Sequence, residues 1–317
     1  MHVLITGAGG FVGSRLARRL LDAGERVSGL YFEEAGAPRP AGVWAHDVDI
    51  LDAAGLRRAI QAADPDAVVH LAGLSHVGES WNRMGAYFRV NVLGTENLLS
   101  AAAGRRVVVA SSAEVYGAVP VAEQPIGERR EVDPHTPYAL TKAAAERLAL
   151  AAGAVIVRCF NLVGPGQSER FALPGFAAQL AAIAARAATA GVGMGGKEAV
   201  LQVGNLSARR DFLHVDDGVE AYWQLVRSGR PGEVYNAASG QAHEMREALD
   251  RLMAISGVRA RVETDPQRMR TMDLPLLVGD AGRLRALGWE PRRSLDDALA
   301  DLWTEAVARR RQAAETN

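Results

Sequence analysis

Lysine is almost missing from this chain of 317 residues: Lys142 and Lys197 are the only two, against 34 arginines. A surface helix in such a sequence receives Arg by default, so a lysine kept at 142 marks a place that wants a compact ammonium rather than a planar fork. Cysteine is scarcer still. Cys159 stands alone, which leaves no disulfide framework and no thiolate metal cluster. Neither sign of charge dominates; with a formal net charge of −1 there is no global field to draw nucleic acid or an anionic membrane. No apolar run approaches the length that spans a bilayer, and the first residues run into a strand without a leader pattern. The expectation is a cytoplasmic protein with a small-molecule partner, and no nucleic-acid or membrane partner.

What the chain does contain is alternation. Val3 to Thr6 is a short apolar strand, followed by Gly7-Ala8-Gly9-Gly10-Phe11-Val12-Gly13 and a helical pattern through Leu16, Ala17, Leu20 and Leu21 that stops at Gly24. Glycines at 7, 10 and 13 permit a tight turn, close backbone approach and helix-on-strand packing, and the free N–H groups of the helix start can hold a pyrophosphate. A strand from Arg26 to Leu30 ends at Tyr31-Phe32-Glu33-Glu34. Neither an acid for an adenosine ribose nor an Arg for its 2′-phosphate stands at the expected spot, so NAD and NADP both remain open.

Val43 to His46 reads as the third strand, ending at Asp47 and Val48, where an acid can meet an adenine amino group. Asp52 caps a helix to Ala63. Ala67 to Leu71 is the fourth strand, and the small Ala72 and Gly73 leave room for a cofactor. Strand, helix, strand repeats through this half, which predicts a Rossmann-like α/β fold: a doubly wound parallel sheet with a smaller C-terminal α/β substrate lobe. Residues 1–162, with returning segments near 208–240, form the predicted dinucleotide-binding domain; 163–207 and 241–317 form the lobe. Ser75 and His76 follow the fourth strand at the carboxyl edge, where ligands bind in such sheets. Asn91, an amide in a helix near 87–103, reads as a brace for the neighbouring loop. Gly191 to Gly196 reads as a flexible stretch.

The densest chemistry lies between Val107 and Lys142. A β-branched run delivers Ser112 at its end, and Pro137 opens a helix carrying Tyr138 and Lys142. A spacing of four places phenol and ammonium on one face. A cation there is expected to lower the Tyr pKa from about 10, giving an acid–base group. His214-Val215-Asp216-Asp217 offers a rival metal-site reading, but a strand histidine before helix-capping acids explains it better. Ser112 lacks the Gly-x-Ser-x-Gly elbow of a hydrolase. A binding protein that kept the fold without chemistry would not need Ser112, Tyr138 and Lys142 together.

Together the glycine turn, Ser112 with Tyr138-x-x-x-Lys142, and Arg210-Asp211-Phe212 resemble the extended short-chain dehydrogenase/reductases, the NAD-dependent epimerase/dehydratase family. Leu71 to Trp81, Phe160 to Gln167, Val203 to Leu206, Arg270 to Pro275 and Leu287 to Pro291 are most similar to its GDP-4-keto-6-deoxy-mannose reductase and GDP-mannose 4,6-dehydratase branch. The resemblance implies an NAD(P)-dependent nucleotide-sugar oxidoreductase that reduces the 4-keto group of a GDP-4-keto-6-deoxy-hexose; a nucleotide-sugar 4-epimerase and a GDP-mannose 4,6-dehydratase stand as alternatives. It implies that Ser112, Tyr138, Lys142 and Glu114 are catalytic. NAD or NADP would lie against Gly7, Gly10, Phe11, Val12, Gly13, Tyr31, Asp47, Val48, Leu71, Ala72, Gly73, Tyr138 and Lys142. The nucleotide-diphosphate sugar would meet Ser75, His76, Asn161, Val203, Arg210 and Arg270, and no metal is implied. Ala113 replaces the Asp of the TDP-glucose dehydratases. Relatives pair helices equivalent to about 86–103 and 138–152, so a homodimer is expected, with Ala139, Ala143 and Ala144 allowing close contact.

Overall fold

The computed structural model describes residues 1–32, 39–190, 199–269 and 272–315. β1 (His2–Thr6) is buried along its whole length, as a strand covered on both faces must be. It leads into α1 (Phe11–Asp22), β2 (Arg26–Tyr31), β3 (Val43–Asp47), α2 (Ala53–Ala63) and β4 (Ala67–His70). Asp52 caps α2 by accepting the Gly55 N–H. The next helical segment is broken: α3 (Val77–Ser80), α4 (Met84–Tyr87), a π-helical stretch Phe88–Leu93, and α5 (Gly94–Ala101). β5 (Arg106–Ser112), α6 (Pro137–Ala151) and β6 (Val155–Cys159) follow. Thr136 caps α6 through the Ala139 N–H, and Pro137 fills the first turn, where its missing N–H costs nothing.

The strands run in the order β10-β6-β5-β4-β1-β2-β3, all neighbours parallel, β10 being Val234–Ala237. One face packs Leu16, Leu20, Val219 and Trp223 from α1 and α8 (Val215–Ser228). The other packs Leu56, Ile60, Leu98 and Ala149 from α2, α5 and α6. This is the doubly wound Rossmann-like fold. The chain order reverses between β1 and β4, and that switch point opens a crevice at the carboxyl ends.

A second core joins α7 (Ala172–Ala190), β8 (Val200–Val203), α9 (Met245–Ser256), β12 (Arg261–Thr264) and α11 (Leu295–Glu315). Between the cores, β7 (Asn161–Val163), β9 (Arg209–His214), β11 (Ala242–Glu244) and β13 (Leu276–Leu277) form a small mixed sheet. Leu274, Leu277, Ala281, Leu284 and Trp289, around α10 (Gly282–Arg285), pack into the large sheet's core. That segment, expected with the smaller lobe, thus straps across to the first. The glycine-rich stretch at 191–196 lies outside the described residues, as do Glu33 and Lys197. Among the described residues no helix is long and apolar enough to cross a membrane.

Candidate active site

Gly7 has a left-handed φ of +66°, and a Cβ there would stand 2.9 Å from the Ala72 nitrogen. A Cβ on Gly13 would stand 2.1 Å from the Gly7 carbonyl oxygen. The turn is therefore shaped by the absence of side chains. Gly10 donates its N–H to Gly7 O at 2.9 Å and begins α1 without a side-chain cap, so the first N–H groups of the helix are open toward the crevice. Phe11 and Val12 border it, half-buried. Across the switch point, the Ala72 N–H donates to the Thr6 hydroxyl at 3.1 Å, while Leu71 and Ala72 are half-buried and Gly73 is exposed. A cradle that a Cβ would fill, beside an uncapped helix start, suits a dinucleotide pyrophosphate.

At the end of β2, Tyr31 folds its ring in over Gly29 and Ala8, is buried, and leaves its hydroxyl without a hydrogen-bond partner. Val48 donates its N–H to Tyr31 O at 2.9 Å. Asp47 is exposed and pairs with Arg39, whose guanidinium lies 5.1 Å from the centre of the Tyr31 ring. Arg39 escaped the sequence reading because it stands eight residues past the strand end; a search of the whole loop for an Arg would have found it.

At the other side of the switch point, β5 ends in Ser112, whose Oγ accepts the Glu114 N–H at 3.2 Å and starts a 3₁₀ turn over Ala113–Tyr116. The Ser112 hydroxyl faces the Tyr138 phenol and draws its pKa down, but burial outweighs it and pushes the phenol well above its usual range, with Glu114 adding to the rise. Lys142 does not reverse this, contrary to the expectation from spacing: desolvation of the phenol is the larger effect. Tyr138 is therefore held protonated. Lys142 itself is pulled down to about 8 by burial, opposed by Glu146.

The backbone around Tyr138 is fixed from two sides. Ser80 accepts its N–H at 3.2 Å, and Thr141 donates to its carbonyl at 2.7 Å. Asn91 braces as expected: its amide donates to Thr141 Oγ1 and Leu74 O, each at 3.0 Å, and accepts the Leu74 N–H at 2.8 Å. The π-helical stretch re-aims that side chain, a common use of such bulges.

A shallow cleft opens beside this centre, lined by Glu114, Gly117, His135, Thr136, Arg210, Met272 and Leu274. Arg210 donates to Leu274 O at 2.6 Å and to Asp273 Oδ1 at 2.5 Å, and Asn205 holds the other Asp273 oxygen at 2.8 Å. Asn161 donates to Asp211 O at 3.3 Å. Asp211 itself is buried and accepts N–H groups from Ser239, Gly240 and Gly279, so it shapes the wall rather than the ligand. His76 caps α3 by accepting the Glu79 N–H at 3.1 Å, with exposed Ser75 beside it. Val203 was expected to touch substrate, but its side chain is fully buried in the second core. It occupies an inward position of β8, where alternate residues face the core. Arg270 lies outside the described residues. His214 caps α8 through the Asp216 N–H at 3.1 Å, and among the described residues no group of three acids, histidines or cysteines is arranged for a metal.

Residues 4–302 match the family model of GDP-mannose 4,6 dehydratase. The chain belongs to that family. It is 33% identical to GDP-6-deoxy-D-mannose reductase of Pseudomonas aeruginosa, over 98% of this chain and 99% of the relative. It is 32% identical to UDP-glucose 4-epimerase of Streptomyces lividans, over 95% and 94%. Among solved structures, RMD from Pseudomonas aeruginosa complexed with NADPH superposes with a TM-score of 0.83 at 33% identity, covering 97% of this chain and 99% of that one. The fold and the family together make this chain an NAD(P)-dependent enzyme of the extended short-chain dehydrogenase/reductase type.

Proposed function

We propose that the enzyme reduces the 4-keto group of a GDP-4-keto-6-deoxy-hexose and draws on NADPH. The observation that carries the substrate is the end-to-end likeness to a GDP-6-deoxy-D-mannose reductase, 99% of whose length is matched. Tyr138, which burial keeps protonated, carries the proton that a ketone reduction needs.

Ser112 and Tyr138 hold the ketone oxygen, and Tyr138 donates its phenolic proton as negative charge gathers there. Lys142 is an ammonium below a pH of about 8; it stabilises the phenolate that remains and anchors the cofactor ribose. When bound, the reduced nicotinamide supplies the hydride. Gly7, Gly10 and Gly13 would hold the pyrophosphate, Asp47 and Val48 the adenine. NADPH is favoured over NADH by Arg39, a guanidinium above Tyr31 where an acid would repel the 2′-phosphate. Arg210, with Arg270 and Asn161, holds the sugar nucleotide's diphosphate, a bidentate match for a guanidinium, and Ser75, His76 and Glu114 border the sugar.

We read residues 1–162 and 208–240, with the strap at 274–289, as the cofactor half, and the remainder as the sugar-nucleotide lobe. A homodimer would bury exposed Phe88, Leu93, Leu140 and Leu148 on neighbouring helices. Ala143 and Ala144 suit that contact, whereas Ala139 is turned inward. A single thiol, Cys159, held 3.2 Å from the Tyr222 hydroxyl, fits a reducing cytoplasm.

The test supplies NADPH with GDP-4-keto-6-deoxy-mannose and follows loss of reduced cofactor. Consumption abolished by Tyr138→Phe supports the reading. No consumption, with conversion of UDP-glucose in the absence of reductant, would replace it with the 4-epimerase that the second relative represents.

A further inference from the structure

Beneath the catalytic residues lies a buried ion pair that the proposed chemistry does not use. Glu146 on α6 is 3% exposed and Arg158 on β6 is 5% exposed. The guanidinium grips the carboxylate with two bonds, Nε to Oε1 at 2.9 Å and Nη2 to Oε2 at 2.7 Å. Ser111 donates its hydroxyl to the same carboxylate. Arg158 also lies over the Tyr116 ring at 4.7 Å.

A buried pair of this kind is weak evidence for stability, because taking both charges out of water costs about what their attraction returns. Its placement says more. Glu146 stands one helical turn after Lys142. Ser111 precedes Ser112, and Arg158 precedes Cys159. Across β5 and β6, Ser111 is in register with Arg158 and Ser112 with Cys159. One carboxylate therefore ties the helix bearing Tyr138 and Lys142 to the strand bearing Ser112.

It also supplies a charge. Among the described residues, the titratable groups that bear on Lys142 come from three elements: Glu146 on its own helix, Cys159 on β6 and His70 on β4. Burial pushes the Cys159 thiol up to about 11 and the His70 imidazole down to about 3, so both are neutral at physiological pH. His70 is enclosed between the hydroxyls of Thr6 at 2.7 Å and Thr95 at 3.0 Å. Tyr138 is neutral as well. Glu146, ion-paired with Arg158, is the one carboxylate of this set.

We propose that Glu146 is a positioning residue of the catalytic centre: clamped by Arg158 and Ser111, it registers α6 against the Ser112 strand and sets a carboxylate one helical turn from the Lys142 ammonium. The proposal rests on Lys142 as the working ammonium and is independent of which sugar is reduced.

The scarcity of lysine makes the test direct. Protein labelled with ¹³C at lysine Cε gives two resonances, assigned with Lys197→Arg, and a pH titration reads Lys142 without substrate or cofactor. Glu146→Gln keeps the shape and the contact with Ser111, and Glu146→Gln with Arg158→Met removes both buried charges in case the single variant does not fold. In folded Glu146→Gln the Lys142 midpoint moves down by about one pH unit, the size expected for losing one nearby opposite charge, and in the double variant, which loses a positive charge as well, it moves down by less, while Lys197 stays put. The alkaline limb of the kcat profile moves with it, so activity at pH 7.5 falls about threefold while the value well below pH 7 is kept. Glu146→Asp restores the midpoint. An unchanged Lys142 midpoint in a folded variant overturns the proposal, as does a loss of kcat uniform across pH, which is what a purely structural carboxylate would give.

Discussion

At one end of the molecule's central crevice Gly7, Gly10 and Gly13 shape the proposed cofactor site with backbone alone, each defined by what an added Cβ would strike. At the other end Arg210 and Asp273, distant in sequence, hold each other in the wall of the proposed substrate site. The first region is rigid because it has no rotamers to choose from. The second is held by ionic contacts that a diphosphate can compete for, since phosphate oxygens offer the guanidinium the same bonds as a carboxylate. The centre between them combines both kinds: strand and helix geometry places Ser112, Tyr138 and Lys142, and a buried charge pair sets the electrostatics.

The largest effect falls at the centre. Tyr138→Phe removes the proton donor and lowers kcat by about 10²–10⁴-fold, with cofactor binding and thermal midpoint near those of the parent, checked by NADPH fluorescence and calorimetry. At the backbone-made end, Gly13→Ala forces a methyl against the Gly7 carbonyl. It costs about 1–3 kcal/mol, as overpacking does, and raises the dissociation constant for NADPH; a variant that binds normally would show that the turn is not the cofactor cradle. The charge-made end responds more mildly. Asp273→Asn weakens the grip on Arg210 and changes KM for the nucleotide sugar with kcat kept, within about tenfold for one charged hydrogen bond, read by steady-state kinetics. Arg39→Ala lowers the preference for NADPH over NADH by a similar or smaller factor, read from the ratio of the two kcat/KM values.

The pH profile sharpens the same contrast. Lys142 carries its charge below a pH of about 8 and loses it above. Tyr138 stays protonated throughout that range. Activity in the reducing direction therefore holds through neutral pH and declines on the alkaline side of about 8, with Lys142 and not Tyr138 setting the limb.

The glycine turn was legible in the sequence because its determinants are local: a glycine spacing needs a strand before it and a helix after it, and both stand within the first two dozen residues. Ser112, Tyr138 and Lys142 were legible for a related reason, since strand end and helix face follow from short patterns. Their electrostatics were not. Spacing shows that Lys142 shares a face with Tyr138, but the depth at which the fold buries the phenol decides its pKa. Val203 was misread because the inward phase of β8 depends on the second core packing under it. The Arg210–Asp273 contact spans 63 positions and only the pairing of β13 with β9 brings it together. Glu146 carried a readable signal, a second spacing of four after Lys142, but its partner Arg158 reaches it only through β6.

Transfer of label tests the central claim most directly. NADPH carrying deuterium in the transferable position is incubated with the enzyme and GDP-4-keto-6-deoxy-mannose, and the sugar is examined by mass and NMR. The account predicts one deuterium at C4 of the product for each NADPH oxidised. Turnover of a nucleotide sugar with no label gained and no reduced cofactor consumed would contradict it.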